Sequence, residues 1–333
     1  MTDLPPAIAM LQMATGFQVS QALYAAAELD IAGLLTQRPR TVEELAQATD
    51  SDPDALRRLL RFLESLGVFR VSDGTVHVTD LGEVLAEGVP GSARGIIRYW
   101  MVTHYAPYAD ILHTIRTGEP AATRYFGRPF FEWVNEHPEI AQLQNAAMVS
   151  GGEALREAAL AEYVLPGDGT VADIGGADGN ILSRLLAAQP ERRGIVFDLP
   201  EVVAGARTRL SDAGLADRVD VVGGDFFESV PAADNYVMSS ILHDWSDRDG
   251  IRILQRVATA ASPGARLVLL ELIVPEDASP HYTKSVDLTM MTMVGGRERT
   301  ATEWRELLHA GGFTLDRIIE NPAAFSIIEA TVR

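Results

Sequence analysis

Apolar positions along this chain follow two rhythms, recurring at helical spacing in the first half and falling into short continuous runs between helical stripes in the second. Residues 7 to 36 read as two helices rich in Ala and Leu, with Met10, Met13 and Phe17 at helical spacing, an apolar surface that needs a partner. Thr41 with Glu44 has the pattern of a capping box. Asp52 before Pro53 opens another helix, whose buried face carries Leu56, Leu60 and Leu63 until Gly67 stops it. Val68 to Val71 and Thr75 to Thr79 read as strands around Ser72-Asp73-Gly74, a hairpin signal. Helix, turn, helix and hairpin predict a winged helix. Ile96 to Met148 is helical and aromatic, with Tyr99, Trp100, Tyr105, Phe126, Phe130 and Trp133 among its rings. For any one of them core packing is a better reading than a pocket for a flat substrate. Helical sequence from Glu153 to Tyr163 then runs into Pro166-Gly167-Asp168-Gly169, and two domains are expected, 1–155 and 156–333.

In the second, Thr170 to Ile174, Arg193 to Phe197, Arg218 to Val222, Tyr236 to Ser240, Arg266 to Leu272, Phe313 to Ile319 and Phe325 to Val332 read as strands. Strands alternating with helical stripes predict a doubly wound α/β domain. The last two are joined by Asn321-Pro322-Ala323-Ala324, too short for a crossover helix, so they should run antiparallel.

The stretch Thr170 to Asn180 passes from an apolar strand through glycines into a helix carrying Ile181, Leu182, Leu185 and Leu186. A nucleoside triphosphate loop needs Lys and then Ser or Thr after its last Gly, but Asn180 and Ile181 follow Gly179. The dinucleotide fingerprint also fails, since Ala177 stands two positions after Gly175 and Asn180 three further on. What fits is Asp173, Gly175, Ala177, Gly179, in which an acid at the strand end suits a cationic amino group. S-adenosylmethionine carries one, while a purely structural turn remains the alternative. Asp198 ends the next strand, where an acid can take ribose hydroxyls, its alternative being an exposed loop acid. Asp225 and Phe226 follow the third strand, placed to meet an adenine amino group and ring.

Charge and composition narrow the partners. The net charge is −18 and the isoelectric point about 4.8, which disfavours nucleic acid, whose phosphates need a basic footprint. Between Thr41 and Arg70 the acids Glu43, Glu44, Asp50, Asp52, Asp54 and Glu64 outnumber Arg57, Arg58, Arg61 and Arg70. A DNA-binding regulator is therefore the weaker reading of the winged helix, and a packing and dimerisation module the stronger. There is no Cys, which removes disulfides and thiolate metal sites, and no metal is expected. Leu4 to Ala27 lacks charge, but Pro5, Pro6, Gln12, Gln18 and Gln21 interrupt it, so a buried helix rather than a membrane span is expected, in a cytoplasmic protein.

After the fourth strand comes Leu242-His243-Asp244-Trp245, a His at the ligand end of an α/β sheet, and further on Gly295-Gly296-Arg297-Glu298-Arg299-Thr300. With these motifs nearly the whole chain resembles the S-adenosylmethionine-dependent small-molecule O-methyltransferases of plant phenylpropanoid and bacterial natural-product pathways. The resemblance implies a Rossmann-like class I methyltransferase domain behind a helical winged-helix dimerisation domain. It also implies a homodimer methylating a hydroxyl on an aromatic or polyketide-like small molecule. His243 would be the general base, flanked by Glu298 and Glu329. Asp173, Gly175, Asp198, Leu199, Asp225, Phe226 and Ser239 would line the cofactor. Met148 matches a methionine that packs on the substrate ring, with Asn145, Asp244 and Met290 as further substrate candidates, and Met291 and Met293 beside Met290 equally readable as core. Two positions depart from the pattern. Ala177 stands where relatives usually have Gly, and Ser239 where plant relatives carry a cofactor-contacting Lys, so that contact should be missing. A ligand-binding regulator, or methyl transfer to nitrogen or other chemistry on the same fold, are the alternatives.

Overall fold

The computed structural model describes residues 4–148, 153–321 and 325–333, with the side chains of 153–155 excepted. They fall into two compact units, one within residues 1–109 and 131–154, the other within 110–130 and 155–333.

In the first unit, the opening stretch holds three helices rather than two, Pro6–Ala14, Gly16–Glu28 and Ile31–Gln37. The extra break falls at Thr15, whose hydroxyl bonds back to the Leu11 carbonyl at 3.0 Å. The next falls at Asp30, with φ of 52° in the left-handed region that Asp tolerates better than most residues. Pro6–Ala14 buries nothing within the chain, leaving Ile8, Met10, Leu11 and Met13 exposed, as is Phe17 beyond it. Thr41 and Glu44 form the capping box in both directions, at 2.8 and 3.1 Å. Asp52 caps the helix Pro53–Ser65 through the Ala55 N–H at 2.8 Å. Leu56, Leu60 and Leu63 close a core with Ala26, Leu45 and Val76. The strands β1 (Phe69–Ser72) and β2 (Thr75–Val78) pair antiparallel. Their turn has positive φ at Asp73 and Gly74, as a two-residue hairpin requires.

The second unit is built on a seven-stranded sheet: β3 (Val171–Ile174), β4 (Gly194–Asp198), β5 (Val219–Gly223), β6 (Asn235–Ser239), β7 (Arg266–Glu271), β8 (Phe313–Ile319) and β9 (Ser326–Val332). Their order is β5-β4-β3-β6-β7-β9-β8. β3 through β7 run parallel, and β9 is antiparallel to both of its neighbours, as the short connection implies. The Pro322–Ala324 part of that connection lies outside the described residues. Alternate residues feed two cores, one on each face. Ala172, Met238, Leu267, Leu269 and Ile328 point to one, while Val171, Val237, Val268, Leu270 and Ile327 point to the other. The chain leaves β3 toward β4 on one side and returns to pair β6 on the other. The carboxyl ends of β3, β4 and β6 therefore meet at the point where the strand order reverses, the place where such sheets bind ligands. Residues 110–130 cluster with this unit, helices Ile111–Thr117 and Ala121–Phe126 packing on Tyr282–Met293. No helix among the described residues is long and apolar enough to cross a membrane.

Candidate active site

Two clusters form at the carboxyl ends of the strands. The first surrounds the glycine turn after β3. Gly175 has φ of 72°, and a Cβ there would sit 2.3 Å from the Ile241 side chain, so only Gly lets this turn pack against the segment after β6. Ala177 adopts φ of 45° despite its methyl group. Its N–H donates to Asp198 Oδ2 at 2.9 Å, and the Leu199 N–H donates to Asp198 Oδ1 at 2.7 Å. Asp198 is thus fixed at the end of β4 by two backbone donors, with lone pairs to spare. Burial raises its pKa, against those two bonds. Asp173 is buried, its Oδ2 has no hydrogen-bond partner, and burial pushes its pKa up to about 7. Asp225 accepts the Phe227 N–H at 2.8 Å, and Phe226 meets Trp245 edge-on at 5.9 Å. Ser239 is held by Arg156, whose Nε donates to its Oγ at 3.1 Å while a terminal nitrogen reaches Ser240 Oγ at 3.4 Å. Arg156, on the helix Glu153–Leu160, thus brings a cation to the end of β6, where Ser239 itself offers none. Sequence reading missed Arg156, because nothing at its own position marks it.

The second cluster lies over β6 and β7. His243 sits in the short turn Leu242–Asp244, entered through Ser240 with φ of 54°. Its Nδ1 is 2.8 Å from Glu298 Oε1 and its Nε2 3.6 Å from Asp244 Oδ1. The motif from Gly295 to Thr300 builds this turn residue by residue. A Cβ on Gly296 would lie 2.1 Å from the His243 carbonyl, so Gly is required. The Arg297 N–H donates to that carbonyl at 2.8 Å. The Glu298 N–H is itself held by Asp287 Oδ1 at 2.9 Å. Fully buried Arg299 donates to the Leu242 and Trp245 carbonyls, each at 2.9 Å, and twice to Asp247. Thr300 caps the next helix.

The carboxylate that joins His243 and Glu298 is Glu271, not Glu329. Glu271 ends β7, fully buried, and its Oε1 accepts the N–H groups of Ile241 and Leu242 at 3.2 and 3.0 Å. One ligating atom from each of His243, Glu271 and Glu298 lies within 4.8 Å of the others. Glu329 is bound elsewhere, by the Tyr163 hydroxyl at 2.9 Å and by two of the Arg317 guanidinium nitrogens, each at 2.8 Å. The register explains the difference: on β9 it is Ser326 that faces Glu271, whereas Glu329 lies opposite Val268, three residues back from the strand end. Burial disfavours a charged ring at His243, but the carboxylates of Asp244, Glu271 and Glu298 outweigh it and raise its pKa to about 10. Burial lifts Asp244, and lifts Glu271 to about 7.

Met290 is half-buried on the helix Tyr282–Met293, and Met293 is core. Asn145 and Met148 belong to the first unit, at the end of the helix Pro138–Ala147.

A doubly wound sheet with a glycine turn, an acid ending the neighbouring strand and a His–carboxylate cluster opposite defines a methyltransferase that uses S-adenosylmethionine. Residues 108–314 match the O-methyltransferase domain and residues 11–88 the O-methyltransferase dimerisation domain, so the chain belongs to the O-methyltransferase family. It is 40% identical to the phenazine O-methyltransferase PhzM of Lysobacter antibioticus, over 98% of this chain and 96% of that one. It is 34% identical to the 8-amino-8-demethylriboflavin N,N-dimethyltransferase of Streptomyces davaonensis, over 96% of this chain and 94% of the relative. A structure of the O-methyltransferase NcsB1 from neocarzinostatin biosynthesis, in complex with S-adenosylmethionine and 2-hydroxy-5-methyl naphthoic acid, superposes with a TM-score of 0.81 at 32% identity, covering 95% of this chain and 96% of that one. The enzyme is an S-adenosylmethionine-dependent O-methyltransferase of natural-product type.

Proposed function

We propose that the enzyme methylates a phenolic hydroxyl of a fused or substituted aromatic molecule, with His243 as general base. The observation that carries this is the His243–Glu298 bond at 2.8 Å, placed at the ligand end of the sheet. A proton on Nδ1 directed at Glu298 leaves Nε2 as the basic nitrogen of the neutral ring, and the carboxylates stabilise the imidazolium once it forms. A phenol titrates at about 10, some 3.5 units above an ordinary imidazole. With His243 raised to about 10 that gap closes, and proton transfer from the acceptor becomes nearly thermoneutral.

The residues of the first cluster fit the cofactor. Asp198 suits ribose hydroxyls, Asp225 and Phe226 the adenine, and Arg156 the carboxylate of the amino-acid end. Asp173 Oδ2, buried without a partner, suits its ammonium group. Bound there, S-adenosylmethionine supplies a methyl group on a sulfonium. The chain's own contribution is to hold the acceptor oxygen in line and to take its proton. The aromatic molecules named for phenazine O-methyltransferase and NcsB1 support an aromatic acceptor, with Met290 as a candidate for its contacts. The riboflavin relative favours a second reading, methyl transfer to an aromatic amine. The dimerisation domain and the exposed Pro6–Ala14 helix support a homodimer.

The test is purified enzyme with labelled cofactor, assayed against phenols, hydroxynaphthoates, hydroxyphenazines and their amino counterparts. Transfer to hydroxyls, lowered about 10²-fold or more in His243→Gln with cofactor affinity kept, is expected. Transfer to the amines alone would favour the second reading, and near-normal turnover in His243→Gln would remove the base assignment.

A further inference from the structure

The carboxyl ends of β6 and β7 hold more ligating capacity than proton transfer uses. Glu271 is 0% exposed and Glu298 3%, and each keeps its Oε2 buried with no hydrogen-bond partner. Burying a carboxylate oxygen this way costs free energy unless a proton or cation meets it. Asp244 adds a third acid 3.6 Å from Nε2. With the three acids ionised, one imidazolium leaves the group net negative, and exchanging its proton for a doubly charged cation reduces that excess charge.

We propose that His243, Glu271 and Glu298 form a binding site for a transition-metal cation of the zinc type, and that its occupancy withdraws His243 from methyl transfer. One imidazole nitrogen and two carboxylate oxygens is a donor set that Zn²⁺ accepts with a fourth position left for water. Mg²⁺ and Ca²⁺ ask for six or more oxygens, which these three residues do not offer. Bond lengths of about 2.0–2.2 Å put tetrahedral donors about 3.4 Å apart, so donors now spread over as much as 4.8 Å must draw in by up to roughly 1.4 Å. Glu271 Oε2 has no bond to break in doing so, and the cation replaces the proton now shared between Nδ1 and Glu298. Binding therefore releases a proton and tightens as pH rises. The site stands on side-chain geometry alone, whereas the loss of turnover rests also on His243 being the base.

The full chain, stripped with chelator, would be titrated with Co²⁺ for the visible absorption of a four-coordinate ion and with Zn²⁺ by calorimetry, alongside methyl-transfer assays. One ion per chain is expected, weakened at least about tenfold in His243→Asn and in Glu271→Gln. His309→Gln, a surface change, should leave binding intact, and transfer activity should fall with occupancy and return on chelation. Circular dichroism on both site variants keeps misfolding from imitating the result. Absence of binding tighter than millimolar, or binding equal in wild type and both variants, overturns the site. Binding mapped to these residues that leaves turnover intact overturns the inhibition, and with it the base reading rather than the site.

Discussion

Asp198 offers the plainest test of a single residue. Its carboxylate is positioned by the Ala177 and Leu199 N–H groups, so Asp198→Ala should weaken cofactor binding by about 1.5–3 kcal/mol per lost bond without unfolding the sheet. Calorimetry returning wild-type affinity would take Asp198 out of the site. At His243 the neutral ring is the form that accepts a proton, and below a pKa of about 10 its fraction grows tenfold per pH unit. With an acceptor that does not titrate in this range, kcat/KM should climb about 10²-fold from pH 7 to 9. Glu271→Gln removes one carboxylate that raises the ring, so the plateau should begin at lower pH. A flat wild-type profile from pH 6 upward would sink both expectations. His243 itself could be read from its place after a strand, and Glu298 from the motif that carries it. Glu271 could not be told from Glu329, because each is a lone acid in an apolar strand, and such an acid signals only that it must find a partner. Pairing decides between them: Ser326 opposite Glu271 puts one acid at the ligand end, and Val268 opposite Glu329 leaves the other inside.

At the scale of elements, the segment Gly295 to Thr300 acts as a buckle over the turn that carries His243. Arg299 holds that turn through two carbonyls and Asp247 and lies 5.1 Å over the Trp304 ring. Arg299→Lys keeps the charge but cannot reproduce the fork, and should cost about 3 kcal/mol or more in urea unfolding while lowering turnover. Unchanged stability would mean that the turn stands without it. The motif was legible as a string, but its mechanics were not, since each residue serves a different partner across the turn. Arg156 was illegible for the same reason, its meaning lying in Ser239 and Ser240 far along the chain. The helix break at Thr15 was missed because the apolar spacing continues through it while a side-chain hydroxyl ends the backbone pattern.

For the whole molecule, the inner parallel strands β3, β4, β6 and β7 of the second unit were readable because buried parallel strands are continuous apolar runs between glycines and helices. The exposed face of Pro6–Ala14 predicts assembly: light scattering should find a stable dimer, and Met10→Glu with Met13→Glu should yield a less active monomer. A wild-type monomer with full activity at micromolar concentration would remove the homodimer. The sheet order also bears on how the enzyme is made. β9, synthesised after the other six strands of this sheet, lies between β7 and β8. While the ribosome is still short of Ser326, β7 presents a bare edge and β8 has no strand to join. Neither the floor under Glu271 nor the far side of the sheet can close before then. Between the synthesis of β7 and that of β9 the nascent chain thus carries an open strand edge, the condition under which holdase chaperones matter most.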